Sequence, residues 1–369
     1  VSEVEIGRGK RARRAYTFDD VAVVPSRRTR DVQEVSTSWQ FDAYHLEIPV
    51  LSAPMDSVTS PDTAIAIGTA GGLGVLDLEG LWTRYEDPTQ VLEEIARLSK
   101  SESTARLQEI YSAPIQNELV VERLRQIRDA GVTVAGALSP GGAQQLWRSV
   151  IDAGVDVFVI RGTTVSAEHV SDNREPLNLK RFIYELDVPV VVGGAVTYTS
   201  ALHLMRTGAA GVLAGYGGGA SSANRRTVGI SSPMATTIAD IAAARRDFLD
   251  ESSGRYVHVI ADGSVGTSGD LVKAIACGAD AVMLGTALAR ATEAPGRGWH
   301  WGAEARHTKL PRGERVEVGT AGSIEEILFG PSHSSKGQTN LMGALRHAMA
   351  ANGYSDVKEF QRANLIVTK

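Results

Sequence analysis

The sequence predicts a (β/α)8 TIM barrel on three observations. It contains eight short apolar runs, helical patterns lie between most of them, and the same glycine joint recurs where helices end. The runs are rich in Val, Ile, Ala and Leu and are bounded by Gly or Pro, as expected for parallel strands buried on both faces. They span 48–54, 73–77, 132–139, 155–162, 188–194, 211–217, 256–263 and 281–288. Helical spacing marks 61–69, 119–130, 143–152, 179–186, 198–207, 234–249 and 269–276. The first of these follows Ser60, an N-cap residue, and opens on Pro61 at the first helical position. The joints Ala70-Gly71, Ala130-Gly131, Ala153-Gly154, Thr207-Gly208 and Cys277-Gly278 each lead into an apolar run. Glycine there supplies a left-handed helix cap. A doubly wound open sheet is the alternative, but no G-x-G-x-x-G sits in the first βα turn.

All 369 residues are expected in one barrel domain. Added to it are an N-terminal arm (about 1–30), an insertion after strand two (about 82–118) and a flap with a C-terminal extension (about 294–369). Long excursions of this kind usually carry function or mobility. Hydrophobic residues make up 43% and charged residues 22%, enough for a sizeable core. The net charge of −5 argues against a nucleic-acid partner. The basic residues from Arg8 to Arg14, and Arg27, Arg28 and Arg30, read as a solvated arm or a subunit contact. Cys277 is the one cysteine, so no internal disulfide can form and a Cys-based zinc site is not expected. No secretory h-region and no membrane-spanning apolar stretch is seen, which leads to the expectation of a cytoplasmic protein.

Barrel chemistry belongs at the C-terminal strand ends. Gly263-Ser264 and Gly285-Thr286, after strands seven and eight, offer backbone N–H groups and hydroxyls to a phosphate. Gly217, Gly218 and Gly219 after strand six let backbone approach a ligand. Asp262 can accept two hydrogen bonds from ribose hydroxyls. Alternatively the glycines only close turns and Asp262 caps the next helix. Three such loops at one barrel end favour a phosphate-bearing ligand. Cys277, at a helix end entering strand eight, lies on the stability face and reads as a buried structural thiol.

These residues also resemble a family. Tyr16–Val21, the segment Ser52-Ala53-Pro54-Met55-Asp56-Ser57-Val58-Thr59, Ala261-Asp262-Gly263, the stretch 278–285 and Leu341-Met342-Gly343-Ala344-Leu345-Arg346 are similar to IMP dehydrogenase and GMP reductase. The resemblance covers nearly the whole chain. It implies a purine nucleoside monophosphate such as IMP as ligand, with Met55 by the purine, Asp262 on the ribose, and Gly263, Ser264, Gly285 and Thr286 around the phosphate. It further implies NAD-dependent oxidation of IMP to XMP in GMP biosynthesis, and a homotetramer. The insertion at 82–118 is too short for the family's regulatory CBS pair.

Departures from the pattern fall on the dinucleotide half. In the strand-six loop, Ser222 takes the place of the nucleophilic cysteine, with Gly217 and Gly219 as the glycines. Arg161 stands where an Asp would contact nicotinamide, and Ala195 where an Asn would. Arg306-His307 is a partial match to the Arg-Tyr pair that activates water. A serine hydroxyl is a poor nucleophile without a base, and no His, Asp, Glu or Lys adjoins it in the loop. His169, His300 and His307 are read as surface or flap residues rather than as that base. Arg161 either binds an anion in place of nicotinamide or pairs with a rim carboxylate. The altered loop argues against a monovalent-cation site. Three readings stand at this point: an IMP-oxidising enzyme with NAD, a non-catalytic nucleotide-binding homologue acting as sensor or partner, and a barrel for a phosphorylated sugar.

Overall fold

The computed structural model describes residues 3–172 and 175–368. All eight predicted strands are present, and each lies within its apolar run or overhangs it by one residue. They are β1 (Val50–Ser52), β2 (Val75–Asp77), β3 (Ala135–Leu138), β4 (Val157–Arg161), β5 (Val190–Ala195), β6 (Gly211–Ala214), β7 (His258–Asp262) and β8 (Ala281–Leu284). Neighbours pair in parallel in the order β1-β8-β7-β6-β5-β4-β3-β2. A parallel bridge between Leu51 and Leu73 joins the two ends. There Ser52 N donates to Leu73 O and Leu73 N to Val50 O, both at 3.0 Å. The sheet is thereby a closed barrel rather than a doubly wound sheet. Val191, Val212, Val259, Ile260 and Val282 are fully buried, as the two-faced apolar runs require.

The helices pack outside. They are α1 (Pro61–Thr69), α2 (Asn117–Asp129), α3 (Pro140–Asp152), α4 (Leu179–Tyr184), α5 (Tyr198–Arg206), α6 (Met234–Glu251), α7 (Ser268–Ala276) and, beyond the barrel, α8 (Leu341–Ala351). Ser60 caps α1 by accepting from Thr63 N, with Pro61 at the first helical position. All five joint glycines, Gly71, Gly131, Gly154, Gly208 and Gly278, take positive φ. The N-terminal end of the barrel is plugged by the hairpin Trp39–Phe41/Tyr44–Leu46, whose Phe41 is buried against Gly211. The final strand Leu365–Val367 pairs antiparallel with Val21–Val23.

The two excursions pack on each other. The insertion forms the helices Thr89–Arg97 and Ser103–Ile110. Leu81, Leu92, Ile95, Leu107, Ile110 and Tyr111 bury Trp301 and Ala305 of the flap in a satellite core. No helix among the described residues is long and apolar enough to cross a membrane.

Candidate active site

The C-terminal strand ends open into one cavity of about 390 Å³. It brings together Met55, Arg161, Gly217, Gly219, Ser222, Asp262, Gly263, Ser264, Gly285 and Thr286, which are scattered over more than two hundred positions of sequence. The three glycine loops are stitched into one surface. Ala220 N donates to Thr286 Oγ1 at 3.2 Å, and Ser264 Oγ donates to Gly218 O at 3.1 Å. Thr286 therefore keeps its hydroxyl proton for a ligand, whereas that of Ser264 is spent on the β6 loop. A Cβ built on Gly218 would meet Ser264 Oγ at 2.5 Å, and one on Gly219 would meet Thr286 Oγ1 at 3.0 Å. Glycine is what allows this backbone to lie against the cradle.

Asp262 does not cap the following helix. That role falls to Thr267, which accepts from Asp270 N while Asp270 reaches back to Thr267 N. Asp262 instead pairs with Arg161, the last residue of β4. Arg161 Nε donates to Oδ2 at 2.9 Å and Nη2 to Oδ1 at 3.3 Å. The side chains are 15% and 5% exposed. Burial alone would lower the guanidinium pKa, but the Asp262 charge outweighs it and the net direction is upward. Of the two readings of Arg161, pairing with a rim carboxylate is the one found.

Ser222 lines the cavity, yet the contact to its Oγ is weak. Asn224 Nδ2 approaches at 3.5 Å, and among the described residues no imidazole, carboxylate or amine is within hydrogen-bond distance. The expected histidines divide. His169 and His307 are exposed. His300, within the flap segment, is 2% exposed and lines the cavity. The Ser57 hydroxyl donates to Trp301 O at 2.9 Å, so His300 Nδ1, 2.9 Å away, is the donor to Ser57 Oγ. That assignment leaves Nε2 as an acceptor on the side of Gly285. Burial, with Arg290 adding to it, pushes the His300 pKa down to about 4, so the ring is neutral near pH 7 and a weak base.

Arg306 is not brought to the cavity. It lies behind the wall between Asp56 (3.5 Å) and Asp77 (3.2 Å), with its guanidinium 4.2 Å from the centre of the Tyr111 ring. Asp56 also accepts from Leu81 N at 2.9 Å and from Tyr111 Oη at 2.6 Å, and Trp301 Nε1 donates to Tyr111 Oη at 2.9 Å. Where a water-activating role was expected, one cation ties the flap to β2, to the segment after β1 and to the insertion. A different flap residue, Glu304, lines the cavity, and no hydrogen bond among the described residues engages its carboxylate. Sequence reading missed Glu304, as it did Thr17, Phe18, Asp19 and Asp270, which also line the cavity. The capping spacing Thr267–Asp270 was a signal for the last of these. For Glu304, in a polar stretch without periodicity, there was none.

The family model for the IMP dehydrogenase/GMP reductase domain matches residues 15–369. The chain belongs to the IMP dehydrogenase/GMP reductase family. It is 53% identical to a protein of Mycolicibacterium smegmatis and 52% identical to one of Mycobacterium tuberculosis, both named as uncharacterized oxidoreductases, with 99% of each chain covered. It is 26% identical to the inosine-5'-monophosphate dehydrogenase of Methanocaldococcus jannaschii over 95% of this chain and 92% of that one. A crystal structure of an IMP dehydrogenase/GMP reductase-like protein from Corynebacterium glutamicum superposes with a TM-score of 0.94 at 49% identity, covering 99% and 98% of the two chains. The family is one of oxidoreductases. In this member Cys277 is 9% exposed at the end of α7, and burial pushes its thiol up to about 12. It is not among the cavity-lining residues, and a buried thiol with a raised pKa is a poor nucleophile near neutral pH.

Nicotinamide contacts of the kind the resemblance implies do not fit the residues present. Arg161 is a cation engaged by Asp262, and Ala195 is a buried methyl with no donor to offer.

Proposed function

We propose that the protein binds a purine nucleoside monophosphate, with IMP the first candidate, at the C-terminal end of its barrel. One observation carries this reading: Met55, expected by the purine, Asp262, expected on the ribose, and Gly263, Gly285 and Thr286, expected around the phosphate, line a single cavity. Backbone N–H groups of the glycine loops and the hydroxyl proton of Thr286 suit a phosphate. The Asp262 carboxylate suits a ribose diol, and the Met55 thioether supplies a polarizable face for a base. The reading extends to a cytoplasmic homotetramer, by family membership. A thermal-shift titration with IMP, GMP and XMP tests it. Saturable stabilisation by at least one of them, lost in Asp262→Asn, is expected. No shift with any of the three contradicts it.

Oxidation of IMP to XMP with NAD is the reaction to assay. The state of Ser222 favours a second reading, a nucleotide-binding homologue that acts as sensor or regulatory partner. The family's step needs a strong nucleophile at purine C2, and an unactivated hydroxyl is a poor one. NADH formation from IMP, NAD and potassium, with Ser222→Ala as control, separates the readings. Turnover lost in the variant establishes a dehydrogenase using Ser222. Absence of turnover alongside IMP binding establishes the second reading.

A further inference from the structure

We infer that Glu304 reads the base: from the flap, its carboxylate accepts the adjacent N1–H and 2-amino donors of guanine, so that the cavity holds GMP more tightly than IMP, XMP or AMP. The inference rests on the proposed nucleotide site and names the base which that site prefers.

The course of the Met55 side chain gives the orientation. A Cβ built on Gly285, in the cradle, would meet Met55 Sδ at 3.4 Å. One built on Gly302, in the flap, would meet Met55 Cε at 2.6 Å and Glu304 Oε2 at 3.1 Å. Met55 thus runs from the cradle to the Glu304 carboxylate, and the absence of a side chain at Gly302 lets the two stand side by side. A purine nucleotide with its phosphate on Gly285 and Thr286 and its base over Met55 directs N9 towards the cradle. The opposite edge of the ring carries N1 and the substituents at C2 and C6, and it points to Glu304.

The backbone around Glu304 is held. Its carbonyl accepts from Arg312 N at 2.9 Å, Ala305 enters the satellite core, and Arg306 lies between Asp56 and Asp77. The Glu304 side chain is half-buried and lines the cavity, and no hydrogen bond among the described residues engages its carboxylate. Arg161, the one cation among the lining residues, is already paired with Asp262. His300 Nε2, an acceptor, lies 3.6 Å from the same Cβ position on Gly285. Acceptors therefore flank Met55, and a half-buried anion there calls for N–H donors from the ligand.

A carboxylate accepts two parallel N–H donors, one on each oxygen. Of guanine, hypoxanthine, xanthine and adenine, only guanine presents two such donors side by side on this edge. Hypoxanthine offers N1–H alone. Xanthine flanks N1–H with carbonyl oxygens, and adenine sets its amino group beside an unprotonated N1, so in both a lone pair faces the second carboxylate oxygen.

The test measures dissociation constants of GMP, IMP, XMP and AMP for the full chain and for Glu304→Gln and Glu304→Ala. The full chain is expected to prefer GMP over IMP by about tenfold, the worth of one further hydrogen bond to a charged group. XMP and AMP are expected to bind more weakly still. In Glu304→Gln the preference for GMP falls towards one, because the amide keeps one acceptor and gains a donor that opposes the 2-amino group. Glu304→Ala loses the preference as well. Ribose 5-phosphate, which has no base, should bind the full chain and both variants alike, and this sets lost base reading apart from a disturbed cradle. GMP and IMP bound equally by the full chain, or a preference that survives in both variants, overturns the inference and leaves the nucleotide site standing. AMP bound as tightly as GMP overturns it too, since one amino group would then be enough. No binding of any of the four contradicts the nucleotide reading itself, and the inference with it. If a variant does not fold, the order of the four nucleotides on the full chain still decides.

Discussion

At Gly263 the backbone takes φ +119°, and a Cβ there would lie 1.9 Å from the Gly217 carbonyl oxygen. Any side chain must push the β6 loop off the cradle. Gly263→Ala is therefore expected to lose IMP binding and to destabilise the fold by about 1–3 kcal/mol, through backbone strain and overpacking. Chemical denaturation and calorimetry check the two effects separately. His300 makes a pH prediction. Its folded pKa of about 4 lies below the ordinary 6.5 because the ring is buried. Between those values the unfolded chain takes up a proton that the folded chain refuses, so this residue removes stability as pH falls from 6.5 to 4. His300→Gln should flatten that part of the pH–stability curve. An unchanged slope would mean that the ring is not buried neutral.

Among elements, the flap shows how a polar stretch is held. Arg306 joins it to β2 through Asp77 and to the segment after β1 through Asp56, while Trp301 and Ala305 enter the core of the insertion. Removing the cation from two buried carboxylates by Arg306→Met is expected to cost about 3–5 kcal/mol. It should also expose the segment around 299–315 to limited proteolysis. Burial, then Asp77, raises the Asp56 pKa to about 6 against the pull of Arg306. An acid whose folded pKa lies above its unfolded value is stabilising only when protonated, so its contribution is lost as pH rises from about 4 to 6. Loss of Arg306 raises that pKa further, and the variant's deficit should be larger at pH 8 than at pH 5. Denaturation at the two pH values measures it.

For the molecule as a whole, the barrel was legible because its strands are continuous apolar runs and its helices end on glycine. Both signals are local, and all five joints take the backbone conformation they predict. That Asp262, Gly263, Gly285 and Thr286 meet in one cavity was legible because a barrel's C-terminal strand ends are brought together by topology, so reading strand ends was enough to collect them. What could not be read were contacts between distant segments. The pairing of Arg161 with Asp262 spans 101 positions, and that of Arg306 with Asp77 spans 229. No periodicity encodes either. Arg306 resembled a site residue by its neighbours in sequence, and its guanidinium lies between Asp56 and Asp77. His300 and Glu304 became cavity residues only once the flap had folded over the barrel mouth.

The occupant proposed for this cavity is a purine nucleoside monophosphate. Calorimetric titration of IMP into the full chain, with ribose 5-phosphate in parallel, tests it most directly. Saturable binding of IMP at one site per chain is expected, weakened by Gly263→Ala and by Asp262→Asn. Binding of ribose 5-phosphate without any response to IMP, GMP or XMP would contradict it, and would make the barrel a site for a phosphorylated sugar.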